Sequence, residues 1–228
     1  MVVSVIGGTG PQGLGIALRL AIEGVEVIVG SRKEEKALEV VAEAKEKYSE
    51  YDLSNMCGMA NEDAAKEGDI LILTVPLAAQ KPTVEGIKEF CADKIVLDAT
   101  VPLETAIGGK PFRFIDLMEG SAAERTASIL KGTGAKVICA FCNISNSHLS
   151  NIPEDIDCDC LIAGDDKEAK EIAAELINKI PGVRTIDTGI LEKSRIIEKI
   201  TPLLIGLNIK YRSHYGGLRI TGIPKLDE

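Results

Sequence analysis

The chain has 228 residues, 45% of them hydrophobic and 27% charged, which is enough apolar material for a sizeable core and excludes a disordered chain. Its 26 basic and 35 acidic residues leave a formal charge of −9, which argues against a general nucleic-acid binder. With 4% aromatics and no Trp, there are few rings for stacking on single strands. At this length one large α/β domain with a small appendage fits better than two full domains.

Val2 to Ile6 reads as a short apolar strand, followed by a glycine-rich turn and an amphipathic helix from Gly13 to Ala21 that Gly24 ends. Val25 to Val29 is the second strand, and Lys33 to Lys47 carries Ala37, Val40, Val41 and Ala44 at helical spacing. Ala60 to Lys66 reads as a short helix opened by Asn61, and Asp69 to Val75 as a near-continuous apolar strand, the kind a sheet buried on both faces requires. Helix Pro82 to Phe90, strand Lys94 to Asp98, helix Ser121 to Lys131 and strand Lys136 to Phe141 follow. After an acidic, Asn/Ser/Pro-bearing connection, Asn143 to Asp157, comes another unit: strand Asp159 to Ala163, helix Lys167 to Lys179 and strand Val183 to Asp187. An apolar helix from Leu191 to Lys210 contains Pro202, so a kink is expected, and a Gly-rich, partly basic tail runs from Tyr211 to Glu228.

This alternation predicts an α/β fold, a Rossmann-type doubly wound, mainly parallel sheet with a small C-terminal helical extension. The expected division is residues 1–150 as a nucleotide-binding domain and 151–228 as a smaller βαβ and helix region. No apolar run reaches the ~18 residues a membrane helix needs. The chain opens on a strand with no charged leader and no cleavage site, so a soluble, cytoplasmic protein is expected. The six cysteines then read as reduced thiols packed as small hydrophobes. A metal site is disfavoured because strand alternation puts Cys139 and Cys142 on opposite faces.

The sharpest motif is Gly8-Thr9-Gly10-Pro11-Gln12-Gly13, set directly between a strand and a helix. Gly8 suits the tight turn, Gly10 lets the backbone approach a pyrophosphate, and Gly13 lets the helix pack on the sheet. The helix N-terminus offers N–H groups and partial positive charge to the phosphates. Pro11 has no N–H, so the amides of Gln12 and Gly13 serve instead.

The end of the second strand selects the cofactor. An NAD site wants an acidic residue there, whereas this chain has Gly30-Ser31-Arg32-Lys33 with Lys36 one turn on. A hydroxyl and several cations suit the 2′-phosphate of NADP through charge-assisted bonds. Thr74-Val75-Pro76 and Thr100-Val101-Pro102 are two further strand ends that should border the ribose and nicotinamide, with Ala140 completing the floor. The chain holds two histidines, His148 and His214, and neither sits in a catalytic motif. A hydride passing directly between two bound cofactors needs little beyond positioning and dry walls.

The chain resembles the archaeal coenzyme F420-dependent NADP reductases, especially those of methanogens, in segments spread over nearly its whole length. The shared runs include Gly7-Gly8-Thr9-Gly10, Gly30-Ser31-Arg32, Asp98 to Pro102, Gly120 to Arg125, Cys158 to Ala163 and Ile197 to Leu204. The last three are the more specific. The resemblance implies reversible hydride transfer between C5 of the deazaflavin of coenzyme F420 and C4 of the nicotinamide of NADP. It also implies NADP contacts at Thr9 to Gln12, Ser31, Arg32, Lys36, Val75, Ala79, Val101 and Ala140, a deazaflavin near Leu207, and a homodimer. The flat ring is expected to rest against Leu207 and its helical neighbours Leu203 and Leu204. Lys210, Arg212, His214 and Arg219, the one basic cluster without dense acidic neighbours, are candidates to receive the anionic tail of coenzyme F420. Two other readings stand beside this one: an NADP-dependent reductase of a small carbonyl or imine, and a nucleotide-sensing module without chemistry.

Overall fold

A computed structural model describes residues 1–223; the end of the expected tail, 224–228, lies outside the described residues. The first half runs β1 (Val2–Ile6), α1 (Pro11–Ile22), β2 (Glu26–Ser31), α2 (Glu34–Lys47), β3 (Met56–Ala60), α3 (Asn61–Glu67), β4 (Ile70–Leu73) and α4 (Leu77–Ile87). The second runs β5 (Ile95–Asp98), α5 (Ala122–Ile129), β6 (Lys136–Cys139), α6 (Asn146–Ser150), β7 (Cys158–Gly164), α7 (Lys167–Ile177), β8 (Val183–Asp187) and α8 (Ser194–Tyr211). The strands form one sheet in the order β3-β2-β1-β4-β5-β6-β7-β8. The order reverses between β1 and β4, which leaves a crevice at their carboxyl ends.

The apolar run of β4 explains why the sheet is covered on both faces. Ile70 and Ile72 join the core on one side, with β1, β2, α1 and α7; Leu71 and Leu73 join the core on the other, with α3, α4 and α5. Each such side chain contributes roughly 1.5–3 kcal/mol on burial.

Four local differences from the sequence reading have physical causes. Strand β3 was not expected, because Met56-Cys57-Gly58-Met59-Ala60 has no β-branched residue; it forms by pairing with β2 along its length. Helix α1 starts at Pro11, not Gly13, with Pro11 in the first turn, where its missing N–H removes no helical bond. Helix α4 begins at Leu77 and holds Pro82 inside it rather than at its start. That removes the helical partner of the Ala78 carbonyl, which sits beside the crevice.

The fourth concerns the parallel pattern: β6 and β7 pair antiparallel, with Cys139 opposite Ala163, while the other neighbours are parallel. After β6 the chain stays at the crevice end of the sheet instead of crossing a face. The Phe141 N–H meets Cys160 Sγ at 3.4 Å. The Asn143 side chain pairs with the Asp159 carbonyl (2.6 Å) and the Leu161 N–H (3.0 Å), as a backbone neighbour would.

This turn also corrects the cysteine expectation. Phe141 takes a left-handed φ of 63°, so strand alternation stops at Cys139 and the Cys139 and Cys142 sulfurs meet at 3.6 Å. The contact with Cys142, together with burial, pushes the Cys139 thiol well above the usual range. Both thiols are buried, and they pack as small hydrophobes.

Candidate functional site

The crevice opens into a cavity of about 1640 Å³. That exceeds the ~300–1,000 Å³ of a site for one drug-sized ligand, and its walls come from two separate parts of the chain.

The first wall is the β1–α1 turn. Gly7, with φ +71°, makes the tight bend, one position ahead of the motif glycine assigned to it, and its N–H donates to Asn61 Oδ1 at 3.1 Å. Gly8 lies beneath, its N–H shared between the Val5 carbonyl (3.1 Å) and the Gly30 carbonyl (2.9 Å). A Cβ built on Gly10 would meet nothing within 4 Å, so the loop is bare where a pyrophosphate would approach. A Cβ on Gly13 would press on Thr74 Oγ1 and lie 2.6 Å from Gly8 Cα, so this glycine sets the packing distance of the helix from the sheet. Gly10 at the N-cap has no side chain to accept the first N–H groups of α1.

The end of β2 supplies the next stretch. Ser31 is buried, and Arg32, Lys33 and Lys36 stand beside it on the cavity. The Lys36 ammonium donates to Glu39 Oε2 (2.8 Å), which raises its pKa and keeps it charged. Val75 follows β4, Ala79 lies in the first turn of α4, and Val101 follows β5. Beneath Val101 the buried Asp98 carboxylate accepts from Gln80 Nε2 (2.8 Å), Thr126 Oγ1 (2.7 Å) and the Thr100 N–H (2.8 Å), and burial raises its pKa. This network fixes where the strand end turns into the crevice.

Of the residues singled out from the sequence, Thr9, Gly10, Pro11, Gln12 and Gly13 line the cavity, as do Ser31, Arg32, Lys36, Val75, Ala79 and Val101. Gly8 and Ala140 are not among the lining residues; Ala140 is fully buried behind Cys142, which is. Leu207 is 40% exposed on α8 and does not line the cavity, whereas its helical neighbour Leu204, with Ile205 and Ile209, does. The basic cluster divides. Arg212 and His214 line the cavity, while the Lys210 ammonium stands 5.5 Å over the Tyr211 ring. Arg219 is bound to Asp157 (2.7 Å) and Asp159 (2.9 Å), so it does not lack acidic neighbours. These carboxylates lie far from it in sequence, which hides them from a local reading.

The second wall was legible in the sequence only in part, at Leu204, Arg212 and His214. It combines Leu103, Thr105 and Ala106 after β5, Cys142 to Ser147 after β6, Thr201, Leu204 and Asn208 of α8, and the tail at 212–216. Thr201 Oγ1 donates to the Cys142 carbonyl at 2.6 Å, which ties α8 to the segment after β6. Asn61 was read only as a helix start. Its side-chain carbonyl accepts the Gly7 N–H, and the residue lines the cavity together with Ser31.

Residues 2–102 match the family described as NADP oxidoreductase coenzyme F420-dependent. A protein of Methanothermobacter thermautotrophicus named F420-dependent NADP reductase is 52% identical over 225 residues, covering 99% of this chain and 97% of that one. A protein of the same name from Methanocaldococcus jannaschii is 48% identical over 224 residues, covering 98% of this chain and 99% of that one. Among solved structures, a protein from Arthrobacter sp. FB24 superposes with a TM-score of 0.82 at 22% identity, over 96% of this chain and 99% of that chain, which supports the fold. The chain belongs to the F420-dependent NADP reductase family.

Proposed function

We propose that this protein transfers hydride reversibly between coenzyme F420 and NADP, with both co-substrates in the one crevice. The observation that carries the reading is the two-walled cavity, a bare dinucleotide loop facing a wall from α8 and the tail. When bound, the deazaflavin of reduced F420 supplies a hydride from C5 to C4 of the nicotinamide. The chain contributes binding and orientation. The Gln12 and Gly13 amides suit the pyrophosphate, and Ser31, Arg32 and Lys36 suit the 2′-phosphate. Val75, Ala79 and Val101 give apolar walls that exclude water beside the nicotinamide. On this reading residues 1–150 carry the NADP half and 151–228 complete the deazaflavin half, with Leu204, Ile205 and Ile209 the apolar contacts on α8.

The direct test mixes reduced F420, NADP and enzyme and follows recovery of the long-wavelength absorbance of oxidised F420. Turnover of a cyclic imine with NADPH, and none with F420, would replace this function with that of an imine reductase. Arg32→Ala is expected to weaken NADP binding at least tenfold, about 1.4 kcal/mol, by removing a charge-assisted contact, while NAD binding changes less than twofold. Titration of both cofactors checks this, and equal losses would remove Arg32 from the 2′-phosphate.

Coenzyme F420 is a polyanion approaching a protein of charge −9, and Arg212 gives its half of the cavity local positive character. Arg212→Glu should therefore raise the KM for F420 several-fold at low ionic strength and leave that for NADPH unchanged. The effect should shrink past about 0.15 M salt, where screening acts within ~8 Å. An unchanged F420 KM at low salt would put the anionic tail elsewhere.

A homodimer fits the apolar stripe that α8 leaves open: Ile196, Leu203 and Leu207 are 64%, 60% and 40% exposed. Sedimentation of wild type and Leu203→Glu tests it, the variant being expected to run as a monomer. No described helix is long and apolar enough to cross a membrane, and the free cysteines suit a reducing, cytoplasmic setting.

A further inference from the structure

The segment after α8 has no regular secondary structure, yet Arg212, Ser213, His214 and Gly216 line the cavity. A Gly-bearing stretch of this kind loses much conformational entropy when it is fixed, so something must hold it in place. Its near end is tied to α8 and to the segment after β6. The Ser213 N–H donates to the Asn208 carbonyl (2.9 Å), the Gly216 N–H to Asn208 Oδ1 (2.9 Å), and Ser145 Oγ to the His214 carbonyl (2.9 Å).

Its far end is held by one buried carboxylate. Asp159, in β7, is 0% exposed, and its two oxygens accept four hydrogen bonds. Two come from Arg184 (Nε 2.8 Å, Nη2 2.7 Å), one from Arg219 Nη1 (2.9 Å) and one from the Ile220 N–H (2.7 Å). The Asp159 N–H donates to the Leu218 carbonyl at 2.7 Å, and Arg184 Nη2 also donates to the Ile220 carbonyl. Arg219 in turn spans from Asp159 to Asp157 and the Gly182 carbonyl. Residues 218–220 are thereby fastened across β7 and β8. At Gly217, between the two fastenings, a Cβ would lie 2.9 Å from Cys158 Cβ, so the tail lies tight against β7.

We infer that Asp159, acting through Arg219, is a positioning residue that holds the 212–216 segment as the wall of the F420 half of the cavity. The inference rests on the function proposed above for that half. Nothing in it requires Arg219 to touch a ligand, which separates its role from that of Arg212. Burial opposes ionisation of Asp159, but the hydrogen bonds from Arg184, Ile220 and Arg219 hold its carboxyl down at about 2. The clamp is therefore charged throughout the neutral range. Its contribution is fully present above the ordinary value of 3.8 and is lost only as pH falls toward about 2.

Arg219→Ala tests this with little risk to folding, because Arg219 is partly exposed and the Arg184–Asp159 pair remains. The expected result is at least a fivefold rise in the KM for F420, with kcat at saturation and the Kd for NADP within twofold of wild type. Amide hydrogen exchange at 212–220 should quicken. The KM change should persist above about 0.15 M salt, unlike that of a direct ion contact, and Arg219→Lys, which keeps one charged bond to Asp159, should recover most of it. Faster tail exchange with an unchanged F420 KM overturns the inference, because the tail would then not be a wall that matters. An equal loss for NADP overturns it as well, since the clamp would then serve the fold in general. If wild-type enzyme fails to turn over F420, the proposed function falls, and the exchange comparison still decides whether Arg219 anchors the tail.

Discussion

Gly13→Ala is expected to lower NADP affinity at least a hundredfold and to destabilise the fold as well. The added methyl would press on Thr74 Oγ1 and stand 2.6 Å from Gly8 Cα and 3.2 Å from the Gly8 carbonyl carbon. A flexible side chain can rotate away from such a contact; the Gly8 backbone cannot, because its N–H is fixed between the Val5 and Gly30 carbonyls. The start of α1 must therefore lift from the sheet. Overpacking of this kind costs roughly 1–3 kcal/mol of stability. The Gln12 and Gly13 amides move with the helix, and losing one or two charge-assisted bonds of about 1.5–3 kcal/mol each accounts for the hundredfold, about 2.7 kcal/mol. Gly10→Ala is the informative control. Its Cβ meets no protein atom within 4 Å, so stability should be retained while NADP binding weakens, the methyl occupying ligand space. Cofactor titration and thermal unfolding of the two variants separate these effects. Gly13→Ala binding NADP like wild type would mean that the turn does not hold the pyrophosphate.

What could be read from the sequence is what is local in it. The glycine loop, the cationic end of β2 and the Pro-terminated ends of β4 and β5 each declare themselves within a few residues. They line one side of the cavity together because parallel strands deliver their carboxyl ends to one crevice. The other side is a meeting of segments distant in sequence, after β5, after β6 and after α8, and no periodicity connects them. Leu204 rather than Leu207 faces inward because the direction of α8 is set by its buried residues Ile197, Glu198, Pro202 and Leu204. Reading the helix as an apolar rod could not choose between them. The unexpected β3 and the antiparallel β7 have the same origin. Edge pairing with β2 makes a strand of residues with weak strand preference, and the turn at Phe141 returns the chain without a crossover.

Arg19 shows how a buried charge can be structural, and its removal carries the largest stability effect expected in this molecule. It lies on α1 among Ile16, Ala17, Leu18, Leu20 and Ala21, all buried, and is itself 3% exposed. Its Nε donates to the Leu149 carbonyl (3.0 Å), and its Nη2 to those of His148 (2.7 Å), Asn151 (2.7 Å) and Glu154 (2.9 Å). Helix α6 spans only Asn146–Ser150, and the Asn151 N–H serves the Ser147 and His148 carbonyls but not that of Leu149, so a cation at its C-terminal end meets a free carbonyl and the helix dipole. Burial lowers the guanidinium pKa below its ordinary value and the Asp155 carboxylate opposes that shift, so the charge persists at neutral pH. Packing leaves no slack here, since a Cβ on Gly15 of α1 would lie 2.7 Å from Leu149 Cβ. Arg19→Ala strands the Leu149 and Glu154 carbonyls and leaves those of His148 and Asn151 with one backbone N–H each, from Asn151 at 3.3 Å and Glu154 at 3.1 Å. At ~1–3 kcal/mol for each left unsatisfied, with partial relief from water, a net loss of about 2–4 kcal/mol follows. For a chain of this size that corresponds to a Tm lower by about 10 °C. Arg19→Lys should recover only part of the loss, because an ammonium cannot spread its donors over four carbonyls as the planar guanidinium does. If Arg19→Ala melts within about 2 °C of wild type, water satisfies those carbonyls and the guanidinium is not what fastens α6 to α1.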